Sequence, residues 1–297
     1  MDVHAMFREQ PAMIVGCKPI DEKRTVEDSI RIKIAGGNVY FLDCVNGEGG
    51  GNVAASVGED GILLVDDMLA VMGVKLKAAL ATVSDKPVKM VLNTHYHFDH
   101  IEGNRIFQKT STIIAQENIR KRLRPGNRQP ASTVDMLPAI TFTDSISLNF
   151  NGEEIRMIHF PNSHTDGDAV IYFSKSNVLH LGDMFFFEMF PAVYTEGGGN
   201  IKQLVLSLEK ILTLFPSDAI VIPGHGRLAT MKDLEAYVTM LKETIALVEA
   251  SIRAGKTAEE MTKAKLLAKY DVLGSGGAQT TDQYLSMLYK LLGPMKK

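Results

Sequence analysis

The sequence predicts an α/β fold, two β-sheets packed face to face with helices outside, and three observations lead there. Short apolar runs bounded by glycine and acidic residues recur in both halves of the chain. Segments with helical spacing lie between them. Polar groups, histidines above all, gather where the apolar runs end.

Residues 1–28 are polar and irregular and predict an arm on the surface. The strand signals begin with "VYFLDCV" (39–45), "GNVAASVG" (51–58) and "GILLVDD" (61–67). "VKLKAALATVS" (74–84) has helical spacing and stops before Pro87, and "VKMVLNT" (88–94) predicts a buried strand leading directly to His95. The second half repeats the style with "EEIRMIHF" (153–160), "DAVIYFS" (168–174), "NVLHLGD" (177–183) and "DAIVIPGHG" (218–226). "IKQLVLSLEKILTLF" (201–215) predicts an amphipathic helix between the last two. Three more helices follow, over 231–254, from the capping box "TAEE" (257–260), and over 281–292. With no flexible linker before it, this tail is expected to extend the same domain: an arm over 1–28, a domain over 29–228 and a helical extension over 229–297.

The bulk composition narrows the function classes. The 297 residues are 45% hydrophobic and 23% charged, as in an ordinary globular protein. A net charge of −3 gives no general attraction to nucleic acid or acidic lipid, and no run of 18 apolar residues predicts a membrane span. The N-terminal "IVGC" superficially matches a lipoprotein cleavage box, but Asp2, Arg8, Glu9 and Pro11 interrupt the apolar region that a leader needs. The expected location is cytoplasmic as the chain stands, or periplasmic if a leader has been removed. Cys17 and Cys44 are the only cysteines, without a CxxC, so no cysteine zinc site is predicted.

"NTHYHFDHIEGN" (93–104) places three of the eight histidines and an aspartate within six positions. Partners with metal-ligating side chains stand at other strand ends: His164 in "NSHTDGD", Asp183 in "HLGDMFF" and His225 in "IPGHG". Neutral imidazoles and carboxylates suit zinc. His95 and His97 can face the same way in an extended segment, because side chains alternate with period two. His4, His159 and His180 are expected to be structural.

In these residues the chain resembles the metallo-β-lactamase-fold hydrolases, whose H-x-H-x-D-H motif is followed by a third His, an Asp or Cys, and a final His. The resemblance covers roughly residues 30–228 and implies a metallo-β-lactamase αββα sandwich with the helical C-terminal extension. It also implies two zinc ions, with iron or manganese as substitutes. His95, His97 and His164 would hold the first metal, and Asp99, His100 and His225 the second, with Asp183 bridging them. The implied activity is hydrolysis of a small carbonyl substrate by a metal-bridging hydroxide, with Asp99 orienting the hydroxide and accepting its proton.

Asp rather than Cys at 183, together with His100, is more similar to thioesterases of the glyoxalase II type, lactonases and alkylsulfatases. "PGHGRLAT" nevertheless lacks the G-H-E-Y-T of glyoxalase II. An apolar pocket rim, expected from "DMLAVMGV" (67–74) and "MFFFEMFPAVY" (184–194), places a β-lactam or lactone ahead of a thioester. The expected partner is a small molecule, with neither nucleic acid nor a membrane. The basic cluster "IRKRLRPGNR" (119–128) keeps a nucleic-acid phosphodiesterase as a rival, and an iron-binding redox scaffold is the non-hydrolytic alternative. "SLEK" (207–210) matches S-x-x-K by coincidence, and the glycines of "GEGGGN" (47–52) are expected to make a tight turn near the site rim.

Overall fold

A computed structural model of the chain describes residues 28–124 and 134–293. The first sheet runs in sequence order through β1 (Ile30–Gly36), β2 (Val39–Cys44), β3 (Val53–Gly58), β4 (Gly61–Val65), β5 (Val88–Asn93), β6 (Thr112–Gln116) and β7 (Ile140–Phe142). Strands β1 to β4 pair antiparallel, and β4 to β7 pair parallel. The second sheet contains β8 (Ser145–Phe150), β9 (Glu153–His159), β10 (Ala169–Phe173), β11 (Val178–His180), β12 (Ile220–Ile222) and β13 (Ala229–Thr230) in the order β13-β12-β11-β10-β9-β8. All its neighbours are antiparallel except β11 and β12, which run parallel.

The helices are α1 (Gly73–Ala81), α2 (Phe98–Ile101), α3 (Asn104–Phe107), α4 (Glu117–Leu123), α5 (Ile201–Leu214), α6 (Met231–Arg253), α7 (Ala258–Lys263) and α8 (Thr281–Leu292). Strand alternation sorts the apolar side chains into three interfaces, and therefore four layers. Phe41, Leu63 and Val65 face Met157, Ile171 and Phe173 between the sheets. Leu42, Ile62 and Leu64 turn outward onto Leu76 and Leu80 of α1 and Phe107 of α3. Val170, Tyr172 and Leu179 turn the other way, onto Leu204 and Leu208 of α5, Leu241 of α6 and Tyr284 of α8. This is the αββα sandwich the sequence predicts, and each fully buried Leu, Ile or Phe contributes about 1.5–3 kcal/mol.

Several elements differ from the sequence expectation. β1 precedes the first expected strand; its I-R-I-K-I alternation is the signature of a half-exposed edge strand. β6, β7, β8 and β13 were likewise absent from the expectation. Of the arm expected over 1–28, residues 1–27, with His4 and Cys17, lie outside the described residues. Asp28 is not part of a surface arm: it is buried and accepts hydrogen bonds from the backbone N–H of Asn46 and Glu48 at 2.9 and 3.0 Å. The capping box expected at Thr257 is present with Glu260, and two more start α6 (Thr230 with Asp233) and α8 (Thr280 with Gln283). No helix among the described residues is long and apolar enough to cross a membrane.

Candidate metal centre

Parallel pairing brings strand C-terminal ends side by side, and the site is built there. β4 leads to Asp66 and β5 to His95; β11 leads to Asp183 and β12 to His225. The loop between β9 and β10 brings His164 to the same edge, where the Ala169 N–H donates to the Thr94 carbonyl at 2.8 Å and ties the two sheets together. His97 caps α2 in an extended conformation, and Asp99 and His100 occupy the first turn of that short helix.

All seven residues singled out from the sequence converge. In one cluster, His97 Nδ1 lies 3.1 Å from His95 Nε2 and 3.0 Å from His164 Nε2. Asp183 Oδ2 lies 3.6 Å from His95 Nε2 and 3.5 Å from His164 Nε2. In the other, His225 Nε2 lies 3.4 Å from His100 Nε2 and 3.2 Å from Asp99 Oδ2. The second Asp183 oxygen, Oδ1, lies 3.1 Å from His100 Nε2 and 3.4 Å from His225 Nε2. One carboxylate thus presents one oxygen to each cluster.

The tautomers make these clusters fit cations. His164 Nδ1–H donates to the Ala192 carbonyl at 2.6 Å, which leaves Nε2 with its lone pair. Thr94 Oγ1 donates to Asp66 Oδ2 at 2.7 Å, so it accepts from His95 Nδ1–H at 3.0 Å, and His95 Nε2 is also a lone pair. A neutral His97 carries at most one proton on Nδ1, so it cannot make a full hydrogen bond to both lone pairs that face it at about 3 Å, on His95 and His164. A cation between them resolves the conflict, and outer hydrogen bonds of this kind orient histidine ligands in metal sites.

Electrostatics separate the two clusters. Burial holds His95 well below its ordinary value, pushes His97 down to about 3 with help from His164, and lowers His164 as well. These three rings are neutral donors. Burial acts to lower His100 too, but Asp183, Asp99 and the hydrogen bond to Asp66 outweigh it and hold His100 well above the usual range. His225 is raised by Asp183 and Asp99 against its burial. Burial alone would raise Asp183, yet the surrounding His100, His225 and His95 hold it well below the carboxylate range. The carboxylates that favour positive charge at His100 and His225 would favour a cation in that cluster in the same way.

Asp66 was missed in the sequence. It is fully buried at φ 60° and accepts from His100 Nδ1–H at 2.8 Å, from the Thr94 N–H at 2.8 Å and from Thr94 Oγ1. Its sequence signal was its place at the end of a strand parallel to the one that delivers His95. Of the glycines of 47–52, Gly50 and Gly51 pack against the site, on the Asp99 carbonyl and the His100 ring. A Cβ on Gly51 would overlap the His100 ring, and one on Gly224 would overlap Asp183 Oδ1. Asn52 Nδ2 clamps the two loops by donating to the Pro223 and Gly226 carbonyls, both at 2.8 Å.

The remaining candidates take structural places. His180 Nε2 donates to the Asn52 carbonyl at 3.2 Å, and His159 Nε2 donates to the Asp166 carbonyl at 3.0 Å. Ser207 of "SLEK" is buried against the Ser163 hydroxyl at 2.7 Å. Of the basic cluster, Arg120 binds the Pro138 carbonyl, Lys121 pairs with Glu117 and Arg122 pairs with Asp166; residues 125–128 lie outside the described residues.

The apolar rim expected from 67–74 and 184–194 is corrected. Met68, Met72, Phe185 and Phe190 are fully buried in the cores, because most of each segment folds back over a sheet face, while Val71 and Val74 stay exposed. Phe186 is also nearly enclosed; it stacks on the His225 ring with centroids 5.2 Å apart.

Comparison with known proteins agrees with this architecture. The chain is 26% identical over 236 residues to a linear primary-alkylsulfatase of a Pseudomonas species, covering 64% of this chain and 44% of the relative. It is 30% identical over 172 residues to a hydroxyacylglutathione hydrolase of Gloeobacter violaceus, covering 57% and 62%. It therefore spans about half the length of several curated relatives it matches. Those named relatives are hydrolytic enzymes. A metallo-beta-lactamase from Pontibacter korlensis superposes with a TM-score of 0.59 at 16% identity, over 72% of this chain and 99% of that one. The DIM-1 metallo-beta-lactamase gives 0.60 at 20% identity, over 72% and 98%, and both likenesses concern the fold. The model of the metallo-beta-lactamase superfamily matches residues 46–243, and with the αββα sandwich and the clustered histidines this places the chain in that superfamily.

Proposed function

We propose that the protein is a dinuclear zinc-dependent hydrolase of small carbonyl substrates. The observation that carries this reading is the division of Asp183, with Oδ2 toward His95 and His164 and Oδ1 toward His100 and His225. His95, His97 and His164 would hold one zinc, Asp99, His100 and His225 the other, and Asp183 both. Bound zinc supplies Lewis acidity toward the substrate oxygen and lowers the pKa of water to about 7. Asp99 is held beside His225 and kept ionised against burial by His100 and His225, so its carboxylate can orient the attacking water and accept its proton. His97 and His225 are the least enclosed of the histidines in the two clusters, so substrate approaches from their side.

With most of the apolar rim withdrawn into the core, β-lactams and lactones no longer stand ahead of thioesters. A second reading, sulfate-ester hydrolysis, is favoured by the 236-residue alignment with the alkylsulfatase. A hydrolysis panel on zinc-quantified protein, covering β-lactams, lactones, thioesters, alkyl sulfates and phosphodiesters, tests both. At least one carbonyl class is expected to turn over, with activity lost to chelator and to His97→Ala. Turnover of alkyl sulfates alone selects the second reading, and efficient phosphodiester cleavage alone contradicts both.

A further inference from the structure

Resting on the metal-centre reading, we infer that the C-terminal helix α8 and Gln279 just before it position a ligand of the first metal, His164, by fixing the carbonyl of Ala192. From Phe190 to Val193 the chain belongs to no helix or strand, so its buried polar groups need partners from elsewhere. The C-terminal extension supplies them on both sides of Ala192. Gln279 donates its amide to the Pro191 carbonyl, and Met287 Sδ accepts from the Val193 N–H at 3.2 Å. Phe190 stacks on Tyr284 with centroids 4.2 Å apart, and Tyr284 is anchored by a 2.9 Å hydrogen bond between its hydroxyl and Thr244 of α6. Ala192 lies between these fixed points and accepts His164 Nδ1–H at 2.6 Å.

Gln279 and Met287 are almost fully buried although neither packs against a metal-cluster residue by any hydrogen bond of its own. Their polar atoms are aimed instead at the backbone around Ala192. A buried amide and a thioether on that backbone fix where the Ala192 oxygen points, and that oxygen fixes which His164 nitrogen faces His97 and Asp183. Gln279 and Met287 are thus positioning residues, two hydrogen bonds removed from the metal.

The test uses the full-length protein with Gln279→Met, which keeps length and removes the donor, and Met287→Leu, which keeps volume and removes the acceptor. Chelator competition resolves the two zinc affinities, melting temperature reports the fold, and 15N-histidine NMR of zinc-free protein reports the His164 Nδ1–H. The first-site affinity is expected to fall about 10- to 100-fold, the range for outer hydrogen bonds to metal ligands, with the second site unchanged. The His164 Nδ1–H resonance should shift or broaden in both variants, and Met287→Gln, which restores an acceptor, should recover it. Unchanged first-site affinity with an unmoved resonance overturns the inference, as does equal weakening of both sites in step with the melting temperature. Should Gln279→Met fail to fold, Met287→Leu carries the test. Wild-type protein that binds no zinc would instead overturn the metal reading, while the NMR arm still decides whether α8 controls His164.

Discussion

Replacing Asp183 by alanine should reduce hydrolysis to the level of chelator-treated protein while leaving the fold in place. The reason is geometric: Asp183 presents Oδ2 to one cluster and Oδ1 to the other. Removing a single transition-state donor costs about 10²- to 10³-fold in other hydrolases, so loss of the shared carboxylate should exceed about 10³-fold. Without the carboxylate each cluster loses a ligand, and metal content should fall together with activity. Steady-state rates with metal content on the same sample check this; a variant retaining more than a tenth of the activity at unchanged metal content would sink the assignment.

Asp66 should be nearly as sensitive, by a different route. It accepts three hydrogen bonds in full burial, from His100, from the Thr94 N–H and from Thr94 Oγ1. Asp66→Ala strands these donors and places alanine at φ 60°, so unfolding stability should drop by about 3–5 kcal/mol, as when one partner of a buried ionic pair is removed. Asp66→Asn separates stability from function. Asparagine tolerates the left-handed conformation and, with its oxygen at the Oδ1 position, still accepts from the Thr94 N–H. Its NH2 group cannot accept from His100 Nδ1–H, so the His100 ring loses the orientation that aims Nε2 at the second cluster. Stability should fall less than in the alanine variant, while second-site metal affinity falls about 10- to 100-fold. Denaturant unfolding and metal titration on both variants measure the two effects; equal affinity in Asp66→Asn and wild type would contradict the role given to Asp66.

The seven candidate ligands were legible because His95, His97, Asp99 and His100 share one motif directly after an apolar run, Asp183 and His225 each follow a glycine at the end of one, and His164 stands just before another. Parallel pairing of β4 with β5 and of β11 with β12 then brings those ends together. Asp66 stood at such an end too, but an aspartate after a strand is also a common turn former, and His100, its partner, is 34 residues away. Strands β1 and β8 carried readable alternation in "IRIKIAG" and "SISLNF". β6 and β7 are short runs whose strand character comes from their parallel neighbours rather than their own pattern.

The rim could not be read, for a physical reason. A segment such as "MFFFEMFPAVY" can either line a pocket or cover a sheet, and composition is the same in both cases. What decided it was the helical extension: Tyr284 and Met287 pack on Phe190 and Val193 and draw that segment inward. The same packing puts distant C-terminal residues next to the backbone that orients His164, which no local pattern in the sequence reveals.

If Asp183 joins two metal sites, metal counting on the wild-type protein should show it plainly. Elemental analysis after mild purification without chelator should find close to two transition-metal ions per chain, chiefly zinc. One ion or none, with hydrolytic activity intact, would contradict the account.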